Sequence, residues 1–124
     1  MINDSEKSDF LGNASALLFP IDWPEPFGLV LIEAMACGTP VIAWRCGSVT
    51  EIIENGKTGF IVGTEDEAVE AVYKLDQLDR LIGRRVFQER FTADVMARNY
   101  LRLYWRLCGA AGRDRAPFRS IRMR

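Results

Sequence analysis

Between Gly28 and Gly38 the chain reads LVLIEAMAC, apolar at every position but one, and this stretch constrains the fold more than any other. A helix that is hydrophobic on all faces is a buried helix, so other layers must wrap it. Glu33 is the single ionisable group inside it, and a carboxylate there is costly unless something satisfies it. Pro26 suits a turn or a first helical turn, where a missing N–H costs nothing. Glu25 then lies just outside the helix, and the amides of Phe27, Gly28, Leu29 and Val30 are its free donors. Such an end attracts anions, phosphate above all. Gly28 lets a ligand approach the backbone with no Cβ in the way. Glu33, about a turn and a half further on, can accept hydrogen bonds from hydroxyls. The pattern therefore points to a ligand with both phosphate and vicinal hydroxyl groups.

The remaining chain narrows the class. A length of 124 residues, 48% hydrophobic and 27% charged, suits one domain with a modest core. No apolar run is long enough to span a bilayer, and the polar, acidic Met1 to Phe10 is unlike a secretory signal. The expected location is the cytoplasm, with membrane contact peripheral at most. Histidine is absent, and Cys37, Cys46 and Cys108 show no paired spacing, so neither a zinc site nor a disulfide framework is supported. Without histidine the usual general base and most nucleophilic triads are also excluded. The net charge of −1 is unevenly spread: residues 109 to 124 hold five arginines and Asp114, on a mildly acidic body. That Gly-, Ala- and Arg-rich end reads as a disordered basic tail, with residues 1 to 108 as the domain. No nucleic-acid partner is expected.

Along the chain, helix and strand signals alternate. Asn3, Asp4 and Ser5 can cap a first helix to Asn13, and Ala14 to Phe19 reads as a buried strand ended by Pro20. The central helix stops at Gly38, Pro40 to Ala43 forms a second strand, and Thr50 to Glu54 a short helix. Asn55 to Gly59 is a turn and Phe60 to Val62 a third strand. Glu65, Asp66 and Glu67 suit the start of a helix to about Leu75. Another helix spans about Leu78 to Glu89, and a last one follows Thr92 to about Leu107. In that last helix Met96, Tyr100, Leu103, Tyr104 and Leu107 form a stripe read as core, with Arg98, Arg102 and Arg106 as a solvated ridge. Strands separated by helices predict an α/β fold, a short parallel sheet of about three strands in a three-layer, partial Rossmann-like arrangement.

Glu25 and Glu33, eight apart, with EPFG leading into LVLIEAMACGTPVIA, resemble the E-x7-E signature of the retaining GT-B glycosyltransferases of family 4, the glycosyl transferases group 1. Ala14 to Pro20 resembles the strand before that signature, Gly47 to Glu51 the G-G-x-P-E loop after it, and Asn55 to Val62 the D-G-x-T-G-x-x-V segment. The match runs from Lys7 to about Leu107. It implies the second half of the C-terminal GT-B domain, which binds a UDP- or GDP-linked sugar without a metal or other cofactor. By that resemblance Glu25 is catalytic and approaches the donor sugar, Glu33 holds the ribose hydroxyls, and Phe27, Gly28 and Leu29 contact sugar and diphosphate through their backbone. Ser48 and Thr50 depart from the pattern, standing where it has glycine and proline.

The resemblance carries further expectations. Such enzymes place their donor at the carboxyl ends of the strands, at the switch in a fuller sheet. This chain would supply only the last three strands, so it is expected to be a fragment that needs an N-terminal GT-B domain and is inactive alone. The open edge left at Ala16 to Phe19 invites self-association. In whole GT-B proteins the terminal helix packs onto the first domain, so Tyr100 to Trp105 would be an orphaned interface. The alternative function is a non-catalytic nucleotide-sugar-binding or interaction module on the same fold. A dinucleotide-dependent oxidoreductase is disfavoured, because no G-x-G-x-x-G follows a strand.

Overall fold

The computed structural model describes residues 3–111. Residues up to Thr92 form one compact unit, and Ala93 opens a second. The first unit runs α1 (Asp4–Asn13), β1 (Leu17–Phe19), α2 (Leu29–Ala36), β2 (Val41–Trp44), α3 (Val49–Ile52), β3 (Gly59–Val62), α4 (Glu65–Tyr73), a 3-10 turn (Leu75–Gln77) and α5 (Arg80–Arg90). The strands make one parallel sheet in the order β1-β2-β3, with Leu17 opposite Val41 and Val41 opposite Gly59. Parallel neighbours need a crossover, and α2 and α3 lie on the two connections. This is the expected α/β class and strand number.

The middle strand explains the layers. Val41, Ile42 and Ala43 are all buried, and successive strand residues face opposite sides. Val41 and Ala43 join Leu31 and Met35 of α2, Ile52 of α3 and Val86 of α5 on one face. Ile42 joins Val62, Ala68 and Ala71 on the other, under α4. Both faces are therefore covered, as a parallel sheet requires. Each fully buried side chain of the size of Leu31 or Ile42 contributes about 1.5–3 kcal/mol, so α2 is fixed by its inner side, where Leu31, Ala34 and Met35 are all buried.

One arginine joins three elements. The Arg80 guanidinium donates to the carbonyls of Gly12 (2.7 Å) and Ala14 (2.9 Å) and to Thr39 Oγ1 (3.0 Å). Buried Thr39 in turn donates to the Leu11 carbonyl at 2.6 Å. These bonds tie the end of α1 and the turn after α2 to the start of α5. They also explain why the first strand is shorter than its apolar run. Ala14 closes α1, its N–H bonding Leu11 O at 3.1 Å, so pairing starts only at Leu17.

Two expectations about the later helices need correction. The helix expected to reach Leu75 ends at Tyr73 and continues as a 3-10 turn. The last helix, α6 (Ala93–Ala111), does not bury its apolar stripe: Met96, Tyr100, Leu103, Tyr104 and Leu107 are 48% to 61% exposed, and Trp105 is 64% exposed. Helical periodicity identifies a face that favours cover but carries no information about what covers it. Within α6, the Tyr100 and Tyr104 rings lie 6.2 Å apart, one turn from each other, and the arginine ridge is exposed as expected. The tail expected to begin at residue 109 is still helical through Ala111, and residues 112–124 lie outside the described residues. Among the described residues, no helix is long and apolar enough to cross a membrane.

Candidate functional site

The turn from Glu25 to Gly28 feeds directly into α2, so Glu25, Phe27, Gly28, Leu29 and Val30 share one place in the fold. Glu33 stands about a turn further along the same helix. Gly28 is the N-cap, in the left-handed region at φ 60°, and makes no side-chain cap bond; no acidic residue occupies the first turn. Leu31 N–H turns back to the Gly28 carbonyl at 3.0 Å. Among the described residues, the N–H groups of Gly28, Leu29 and Val30 have no acceptor. The first turn of the helix thus carries no acid of its own; the nearest carboxylate, Glu25, stands just outside it on the Phe27 amide, and the exposed side chains of Phe27 and Leu29 flank the open amides.

The floor of this turn is the loop Gly47–Ser48. Ser48 N–H donates to the Glu25 carbonyl at 2.9 Å. Gly47 sits so close beneath that a Cβ there would lie 2.5 Å from both Glu25 N and Glu25 O. Beyond this loop, Arg90 of α5 holds α3 in place, donating to Glu51 O at 2.6 Å and pairing with Glu54 at 3.2 Å. The short loop and α3 thereby set the position of a turn more than twenty residues earlier in the chain.

The two glutamates are already engaged. Glu25 Oε1 accepts from Phe27 N–H at 3.4 Å, a long bond that occupies the one expected donor of the turn that is not free. Glu33 Oε1 pairs with Lys7 Nζ of α1 at 2.9 Å, with both side chains about two-fifths exposed. The cost of a charge on an apolar helix is met by this partner and by partial exposure. Beside the pair lies an open cavity of about 270 Å³ lined by Lys7, Ser8, Leu11, Glu33, Ala36 and Cys37. Lys7 was missed in the sequence, and no spacing rule could have found a partner 26 residues away on another helix. Ser48 stands out in the sequence only as a departure from the loop pattern. Chemically, the site offers an amide cluster for an anion, then a carboxylate beside a cavity for hydroxyl-bearing groups.

A comparison with known protein families decides the lineage: the model for glycosyl transferases group 1 matches residues 1–84. The chain belongs to this family. A probable sucrose-phosphate synthase of Thermosipho melanesiensis is 45% identical over 83 residues, covering 64% of this chain and 19% of that protein. The N-acetyl-alpha-D-glucosaminyl L-malate synthase of Bacillus anthracis is 35% identical over 100 residues, covering 73% of this chain and 26% of its own length. Among solved structures, sucrose-phosphate synthase from Thermosynechococcus elongatus superposes with a TM-score of 0.71 at 32% identity, covering 89% of this chain and 29% of the other. That likeness agrees with a GT-B, Rossmann-like domain built on a parallel sheet. The chain spans less than a third of the length of each of these relatives.

Proposed function

We propose that this chain is the donor-binding part of a retaining glycosyltransferase that transfers a sugar from a UDP- or GDP-sugar to an acceptor hydroxyl. The observation that carries the reading is the open amino end of α2, where the Gly28, Leu29 and Val30 amides converge without an acceptor beside Glu25. The diphosphate sits on those amides, with Phe27 and Leu29 at its sides. Glu33 exchanges part of its contact with Lys7 for the ribose hydroxyls. Glu25 gives up its long bond to the Phe27 amide and turns to the sugar. Transfer proceeds on the front face of the sugar: the bond from its anomeric carbon to the diphosphate breaks as the bond to the acceptor oxygen forms, and the acceptor proton leaves with the diphosphate. Negative charge growing on the diphosphate is stabilised by the helix terminus, so no metal is required. The acceptor and the remainder of the donor site come from sequence outside these residues, and the protein works in the cytoplasm with peripheral membrane contact at most.

The test is an amide-resolved NMR titration with UDP-glucose and with GDP-mannose. Saturable shifts are expected at Gly28, Leu29 and Val30 with one of the two ligands. The Glu33→Ala variant should bind about tenfold more weakly, the loss expected for hydrogen bonds to a charged group. A folded chain whose spectrum does not respond to either ligand at millimolar concentration would remove the proposal.

A further inference from the structure

Among the described residues, Ser48 Oγ is the buried side-chain polar atom with no hydrogen-bond partner. The residue is only 7% exposed, and a buried hydroxyl in that condition calls for an explanation. Capping is not the explanation. Ser48 is the N-cap of α3, yet its side chain makes no cap bond there. The hydroxyl instead abuts the other helix: it lies 2.7 Å from the point where a Cβ of Gly28 would stand. Gly28 is the N-cap of α2, whose first amides also lack acceptors. A buried hydroxyl without a partner therefore lies against the cap residue of a helix whose first amides lack acceptors, on segments twenty residues apart, with the Leu31 and Ile52 side chains beside it. One oxyanion would satisfy both.

We propose that Ser48 is a ligand-binding residue, its hydroxyl donating to a phosphate oxygen of the diphosphate held by the α2 amides. Rotation about its Cα–Cβ bond between staggered positions is the movement that turns the hydroxyl from beneath Gly28 toward the anion. The inference rests on the donor reading above and deepens it.

The experiment compares the wild-type chain with Ser48→Ala and Ser48→Gly, titrated with UDP, GDP and uridine, alongside thermal melts of each. Wild type is expected to bind UDP or GDP. Both variants should bind that diphosphate about tenfold more weakly, the usual size of a hydrogen bond to a charged oxygen, and any weak binding of uridine should stay unchanged. The melting temperature of Ser48→Ala should hold or rise, because the substitution deletes an unpaired buried hydroxyl. The Gly variant supplies the same reading if the Ala variant fails to fold. Unaltered diphosphate affinity in the variants overturns the role of Ser48 and leaves the donor reading intact. Loss of affinity in step with loss of melting temperature overturns it too, since it marks a structural role. Wild type that binds neither diphosphate overturns the donor reading and this inference together.

Discussion

Helices α2 and α4 pack on opposite faces of the same sheet and are nearly equal in length, yet their amino ends are built on opposite plans. At α4, Thr64 Oγ1 accepts from Glu67 N–H at 3.1 Å, Glu67 reaches back to Gly63 N–H at 2.6 Å, and Glu65, Asp66 and Glu67 fill the first turn. Every element of capping and dipole compensation is present. At α2 the cap is a left-handed glycine with no side-chain bond, the first turn is Leu29, Val30 and Leu31, and the nearest acid, Glu25, makes only a long bond to the Phe27 amide outside the helix. Helices α1 and α5 side with α4, closed by Asn3 and by Asp79. Closing α2 in the same way would stabilise it by about 1 kcal/mol. That stabilisation is forgone at the one amino end proposed to receive an anion, the pattern expected where a local rule is broken for function.

The largest expected effect comes from the support beneath the open end. In Gly47→Ala the new methyl would meet the Glu25 backbone at 2.5 Å, at a residue whose φ is 52°. Neither a backbone clash nor a left-handed alanine can be relieved by rotating a side chain. A loss of about 2–4 kcal/mol in unfolding free energy is expected, with loss of nucleotide binding, as measured by denaturant melts and titration. Near-native stability together with native affinity would mean that the Glu25 turn does not depend on this floor. The closed end should respond differently. Thr64→Ala removes a cap and should cost about 1 kcal/mol, while UDP or GDP affinity stays unaltered. A drop in affinity there would break the division between a structural end and a binding end.

Much of this arrangement is legible in the sequence, because the signals that place it are local. Pro26, Gly28 and the apolar run after it define the turn and the helix start within a few residues, and Asn3, Glu65 and Gly38 mark helix ends by short-range rules. The αβ alternation then leaves few choices of sheet. What cannot be read is long-range. The partner of Glu33 is Lys7 on another helix, the clamp on Gly12 and Ala14 is Arg80, and the neighbour of Gly28 is Ser48. None of these pairs has a characteristic spacing, since each depends on how elements pack. The α6 stripe shows the converse limit: its period is correct, but its burial does not follow from it.

The smallest expected effect is the one that most sharpens the contrast between the two ends. Leu29 is 66% exposed in the first turn of α2, so Leu29→Asp adds a carboxylate without opening the core and gives α2 one of the acids that α4 carries. A negative charge in that turn should stabilise the helix by about 0.3–1 kcal/mol through the dipole. The same charge repels a diphosphate drawn to the same amides, so affinity should fall severalfold, and the fall should shrink as salt is raised. Stability and binding thus move in opposite directions from one substitution, which a loss of packing could not produce. If stability rises and affinity holds, the anion does not sit on the α2 terminus, and the open cap would need another explanation.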